Sequence, residues 1–191
     1  MSAINIEQIQ QQVLTATTLQ LIGRGSQLQP TQAAILDMSL YQGVIDYHPQ
    51  ELMLTVKAGT TIEQIKQTLA VNNQALPFST SSSTIGAAYA MGGAEFRDAV
   101  LGVKIIDGQG RVLNFGGQVM KNVAGYDVTR LLVGSKGKLA VICEVSLKVL
   151  PLAYVAQTNT SNSATVSQPS LLKQKIADGL KQVFDPKAVF V

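Results

Sequence analysis

Among 191 residues the chain has one cysteine, one histidine and no tryptophan. The single cysteine, Cys143, excludes an intramolecular disulfide and fits a cytosolic protein. The single histidine, His48, falls in the polar turn Tyr47-His48-Pro49-Gln50 and reads as a solvated turn residue. With no histidine/carboxylate grouping at zinc spacing, a metal centre is excluded from the expectations. Charge is also sparse: 14% of residues are charged and the formal net charge is +3. No lysine/arginine cluster occurs and the aromatics are scattered, so nucleic-acid binding has no footprint. No apolar run approaches the ~20 residues needed to span a bilayer. Residues 1–18 are polar and glutamine-rich rather than basic then apolar, which is not a signal-peptide pattern. A hydrophobic content of 46% excludes global disorder. The length suits one domain, or one domain with a small appendage.

Glycine is what the chain has in quantity, and it is concentrated. Eleven of 16 glycines lie between Gly86 and Gly137, where the backbone must approach something closely or take positive φ. The richest stretch runs from Phe115 to Pro151. It contains Gly125-Tyr126-Asp127, the turn Gly134-Ser135-Lys136-Gly137, and then an alternating apolar run. Two readings are open: a ligand-facing surface, or a set of tight turns in an ordinary sheet protein.

Periodicity sets the organisation. Ile6, Ile9 and Val13 predict an amphipathic helix over 3–16, and Leu19 to Ile22 a short buried strand. Ile35-Leu36-Asp37 and Gly43-Val44-Ile45-Asp46-Tyr47 predict two more strands. Leu52, Leu54 and Val56 alternate with Met53, Thr55 and Lys57, the period of a half-buried strand. Thr60 and Glu63 form a capping-box pattern ahead of a helix with Ile62, Ile65 and Leu69 on one face. Ser79 to Thr84 is a loop. Val103 to Asp107 and Arg111 to Phe115 predict a hairpin about Gly108-Gln109-Gly110. After Gly137, Leu139, Val141, Cys143, Val145, Leu147 and Val149 share one strand face, which makes Cys143 an inert core thiol. Gln157 to Ser170 is a serine/asparagine/threonine stretch that reads as a linker. A last helix is predicted from Leu171 to Val183 with Leu172, Ile176, Leu180 and Val183 inward, and Asp185-Pro186 then turns the chain. Strands and helices interleave without strict βαβ alternation, so the fold class is α+β.

The segment Gly23-Arg24-Gly25-Ser26-Gln27 follows a strand directly. It is either a nest of backbone N–H groups able to hold a phosphate or a plain turn. It is neither a GxGxxG dinucleotide fingerprint nor a Walker loop. Asp98 and Asp127 are the best-placed acids, beside Arg97 and Tyr126. Alternatively, Asp127 caps a short helix from Val128 to Leu132, and Asp98 pairs with a nearby basic group.

The segments Phe96-Arg97-Asp98-Ala99-Val100-Leu101-Gly102-Val103, Lys121-Asn122-Val123-Ala124-Gly125-Tyr126-Asp127, Arg130-Leu131-Leu132-Val133-Gly134-Ser135 and Glu144-Val145-Ser146-Leu147-Lys148-Val149-Leu150-Pro151 resemble the FAD-binding E subunit of bacterial glycolate oxidase. Ala58-Gly59-Thr60 and Leu76-Pro77-Phe78 extend the likeness, which covers about residues 19–151. The parent group is the FAD-linked oxidases of the vanillyl-alcohol oxidase type. The resemblance implies a PCMH-type FAD-binding domain over 1–151, made of two α+β subdomains (about 1–78 and 79–151). A polar linker (152–170) and a C-terminal helix and tail (171–191) would follow.

By the same resemblance the cofactor is FAD. Gly23, Arg24, Gly25, Ser26 and Gln27 would lie over its pyrophosphate. Thr84, Ile85 and Gly86 would open the second flavin-facing segment. Gly125, Tyr126, Asp127, Gly134, Ser135 and Gly137 would shape the inner wall, and Ile142 would offer backbone to the adenine. Arg97, Asp98 and Tyr126 would position the cofactor. Three departures from the family are visible: a short segment from Ala87 to Glu95, no substrate-covering cap after Pro151, and a tail that stops at Val191. The resemblance implies a cytoplasmic subunit, without catalytic residues of its own, holding FAD beside a catalytic flavoprotein and an iron–sulfur subunit in a 2-hydroxy-acid (glycolate) oxidising complex, and the departures favour its competitor. The competing expectation is a cofactor-free assembly subunit that retains the fold.

Overall fold

A computed structural model of the chain describes residues 4–24, 32–117, 127–158 and 171–191. Its centre is a five-stranded antiparallel sheet in the order β3-β4-β8-β6-β7. The strands are β3 (Val44–His48), β4 (Met53–Lys57), β6 (Val100–Asp107), β7 (Val112–Gly116) and β8 (Ala140–Lys148). Flanking it are a parallel pair, β1 (Leu19–Ile22) with β2 (Ala34–Asp37), and an antiparallel pair, β5 (Gln74–Ala75) with β9 (Leu150–Pro151). The helices are α1 (Ile6–Thr15), α2 (Ile62–Ala70), α3 (Ile85–Met91), α4 (Ala94–Ala99), α5 (Val128–Leu131), α6 (Leu152–Thr158) and α7 (Leu171–Phe184). Helices and antiparallel strands mix as the α+β class requires.

The central strands are more buried than simple alternation predicts. On β8, Ala140, Ile142 and Ser146 are buried along with the Val141–Cys143–Val145–Leu147 face, because α3 packs on this strand. On β4, Met53 and Thr55 are likewise buried, which corrects the half-buried expectation. The polar groups so enclosed find one another. The Thr55 and Ser146 hydroxyls lie 2.8 Å apart, and Glu144 accepts from Tyr41 Oη at 3.0 Å and pairs with Lys104 at 2.7 Å. A buried hydroxyl or charge without such partners would cost stability.

Helix starts follow side-chain caps. Asn5 and Gln8 form a reciprocal capping box on α1, and Ile9 and Val13 turn inward as predicted. The box on α2 is Thr61 with Gln64, one residue beyond the predicted Thr60 and Glu63. Thr60 instead exchanges hydrogen bonds with Gly43, accepting from its N–H at 2.9 Å and donating to its carbonyl at 3.1 Å. The segment read as a short loop, Ala87 to Glu95, is mostly helix. Thr84 caps α3 through Ala87 N, and α4 begins at Ala94. Alanine and methionine are strong helix formers, and the two glycines Gly92 and Gly93 only separate the helices.

The C-terminal residues join the same core. Val189 and Phe190 are buried, Leu19 N donates to Val189 O at 2.6 Å, and Val191 N donates to Leu19 O at 3.1 Å. Asp185, predicted as a turn residue, is 2% exposed and is the anchor of this tail. It accepts from Val189 N at 2.8 Å, Phe190 N at 2.9 Å and Lys181 Nζ at 2.6 Å. Lys181 Nζ also donates to the carbonyls of Lys138 and Phe190, each at 2.7 Å. Gly108, in the β6–β7 turn, donates to Phe184 O at 2.8 Å, and a Cβ there would lie 2.1 Å from Asp185 Oδ1. On α7 the inward residues are Leu180 and Phe184, whereas Ile176 and Val183 are 51% and 62% exposed, against the predicted stripe.

Candidate functional site

A cleft opens between the end of β1, the N-terminal end of α3 and the turn that leads into β8. It is a partly open cleft rather than an enclosed cavity. Leu21, Met38, Ala58, Ala87, Ala140 and Ile142 supply much of an apolar floor, and Ser83 and Thr84 add hydroxyls. Arg24 and Lys136 are its charged residues. Among the described residues no carboxylate, histidine or tyrosine lines it. It shares Arg24 and Ser83 with a polar groove bounded by Thr61, Gln64, Thr80 and Ser82.

Helix α3 is pinned at both ends by residues distant in sequence. Ile85 N donates to Thr60 O at 3.0 Å and Gly86 N to Ala58 O at 2.8 Å. That approach requires glycine at 86, since a Cβ would lie 2.9 Å from Ala58 Cβ and 3.0 Å from Ala58 O. At the other end, Gly134 N donates to Tyr89 O at 3.0 Å and Lys136 N to Ala90 O at 2.8 Å. The turn from Gly134 to Gly137 thus takes up helix carbonyls that would otherwise lack donors. Gly134, Lys136 and Gly137 all hold positive φ, at 84°, 56° and 74°. Beneath the helix, Phe96 packs on Phe78 and Tyr89, with ring centroids 4.7 and 5.6 Å away. The Tyr89 hydroxyl donates to Thr129 O, and burial raises its pKa, with Asp127 adding to the shift.

Of the residues expected around a cofactor, Gly23, Arg24, Thr84, Gly86, Gly137 and Ile142 line this one cleft. Gly25, Ser26, Gln27, Gly125 and Tyr126 lie outside the described residues. Ile85 is fully buried in the core. Arg97 and Asp98 are exposed on α4 and are not among the lining residues; Arg97 donates to Val133 O at 3.2 Å. Asp127 caps α5 through Arg130 N at 3.1 Å and pairs with Arg130 Nε at 3.1 Å, so the capping alternative is realised. Gly134 shapes the turn. Ser135 Oγ, beside lining residue Lys136, is buried with no hydrogen-bond partner among the described residues. Sequence reasoning passed over Met38, Ala58, Ala90 and Lys136. The lysine alone gave a signal, as the odd charged residue between Ser135 and Gly137.

The other described titratable groups stay out of the cleft. Cys143 is buried, and burial is the main cause that pushes its thiol up to about 12, so it stays protonated at ordinary pH. His48 ends the edge strand β3 and contacts Asp46 at 2.9 Å. Among the described residues no group of three or more His, Cys, Asp or Glu could hold a metal ion. No helix among them is long and apolar enough to cross a membrane.

An apolar cleft with two cations and hydroxyls suits a ligand with a flat apolar body and an anionic part. Residues 6–116, more than half of the chain, match the FAD binding domain family, and the chain belongs to that family. FAD is the cofactor that this membership indicates. Within the family it is similar to the glycolate oxidase subunit GlcE of Escherichia coli strain K12, 40% identical over 161 residues, covering 76% of this chain and 46% of that protein. The glycolate oxidase subunit GlcD of Bacillus subtilis strain 168 is 31% identical over 144 residues, covering 68% of this chain and 30% of that one. The chain therefore spans less than half the length of these curated relatives. Among solved structures, alkyldihydroxyacetonephosphate synthase shares the fold, with a TM-score of 0.62 over 76% of this chain and 30% of that one at 18% identity. The fold is thus the FAD-binding domain of the vanillyl-alcohol oxidase type. After Pro151 the described residues form α6 and α7 and no cap domain.

Proposed function

We propose that this chain is an FAD-holding subunit of a glycolate-oxidase-like complex that oxidises 2-hydroxy acids. The observation that carries the reading is the single cleft on which Gly23, Arg24, Thr84, Gly86, Gly137 and Ile142 converge. The positive charge of Arg24 and Lys136 fits the cofactor, since FAD carries a diphosphate. Bound there, FAD would supply two-electron redox chemistry. The chain's own part is to bind and orient it with Arg24, Thr84 and Lys136 and to shield it on the apolar floor. Among the described residues, none that lines the cleft is suited to take a hydroxyl proton from a substrate in the way oxidation requires. In this reading that step belongs to a catalytic flavoprotein partner, with an iron–sulfur subunit as electron acceptor in a cytoplasmic assembly. The likeness to two proteins named as glycolate oxidase subunits supports the assembly.

The test is visible absorbance of the purified chain before and after FAD addition and desalting. A retained flavin band is expected; colourless protein at saturating FAD overturns the reading. One observation favours a second reading, a cofactor-free assembly subunit. The N–H groups of Ile85 and Gly86, expected to face the flavin, are already engaged by Thr60 and Ala58 carbonyls.

A further inference from the structure

A diphosphate in this cleft needs countercharge, and the backbone of the described residues gives little. The first amides of α3 are engaged within the protein, and so are Gly134 N, Ser135 N and Lys136 N. Side-chain charge is therefore the main countercharge that the described cleft residues offer, while the amides of Gly25, Ser26 and Gln27 lie outside the described residues. Two cations line the cleft, and among the described residues neither Arg24 nor Lys136 has an ion-pair partner. Lys136 moreover occupies a left-handed backbone position at φ 56° that favours glycine, between two glycines that take the same sign. A strained residue held by distant hydrogen bonds points to a use for its side chain. Gly137 lies against Leu21, its Cβ position 3.7 Å from the Leu21 side chain. That contact brings the lysine's turn to the strand that leads into Arg24.

We propose that Lys136 positions the cofactor through its diphosphate, acting with Arg24 as a pair of cations at the cleft mouth. This inference rests on the FAD reading above and assigns the residue that reading lacks. The experiment is a fluorescence titration of the full chain with FAD and with riboflavin, which has no phosphate, at low and high salt. Lys136→Gln is expected to weaken FAD binding about tenfold at low salt, the scale of one charged hydrogen bond. The difference should shrink as salt rises, riboflavin affinity should be unchanged, and Lys136→Arg should restore FAD binding. Lys136→Gly should keep the fold, because glycine accepts the left-handed backbone, yet lose the same affinity; this separates charge from backbone strain. Equal FAD affinity in the wild type and Lys136→Gln would overturn the assignment while leaving the cofactor reading intact. Equal losses for FAD and riboflavin would also overturn it, because the residue would then only shape the turn. Wild-type protein that binds no FAD would overturn both.

Discussion

The tail anchor and the cleft mouth treat polar groups in opposite ways. At Asp185 one buried carboxylate meets two amides and a lysine, and that lysine reaches three oxygens. At the cleft, two cations have no carboxylate partner among the described residues, and beside lining residue Lys136 the Ser135 hydroxyl has no partner among them either. Folding alone accounts for the first arrangement, since every donor and acceptor is satisfied within the chain. The second is left incomplete by the protein, and buried polar groups are rarely left so without a reason. Saturation marks structure; a deficit marks where a ligand belongs.

The sharpest way to break the comparison is to open the saturated end. Asp185→Ala strands a lysine and two buried amides, and should lower the urea unfolding free energy by about 3–5 kcal/mol. A loss below ~1 kcal/mol would show that the tail is decoration. Gly86→Ala comes next: overpacking against Ala58 should cost about 1–3 kcal/mol. It should also weaken flavin binding, because α3 forms one cleft wall. Ser135→Ala sharpens the other side. In cofactor-free protein it should be neutral or stabilising by up to ~1 kcal/mol, since an unmet donor is removed. FAD affinity should fall, and calorimetry with and without FAD reads both signs. The smallest effect concerns Cys143. Its thiol is raised in the folded state, so its contribution is complete below the unfolded thiol's range and is lost as pH climbs toward 12. Cys143→Val should therefore flatten the alkaline limb of the stability curve above pH ~9. Thiol labelling of the wild type at pH ~8 should proceed only as fast as unfolding.

How far the sequence could be read follows the same division. Local signals carried α1, the β6–β7 hairpin and the long strand β8, because apolar period and caps lie within a few residues. The α2 box slipped by one because Thr60 and Thr61 are equivalent in type, and only Gly43, seventeen residues away, claims the first hydroxyl. Asp185 looked like a turn residue since its burial depends on Gly108, far off in sequence. Burial on both faces of β4 and β8 was hidden for the same reason. At the site, the family likeness brought six cleft residues into view. Lys136 went unremarked because a charged turn residue ordinarily faces water. Arg97 and Asp98 sit in a strongly matching segment, and their exposure on α4 is set by where that helix packs.

Helix α3 is seven residues, so it spans about 10 Å between the Ala58 contact and the Gly134–Gly137 turn. Both ends are pinned, so the span of the cleft is counted in whole helical residues. Adding one would lengthen the strut by ~1.5 Å and turn everything beyond it by ~100°. An insertion after Ala87 would swing Ala90 off the floor and move the turn that carries Lys136. The site is thus gauged by the length of one short helix, and it should tolerate changed side chains along that helix far better than a changed residue count.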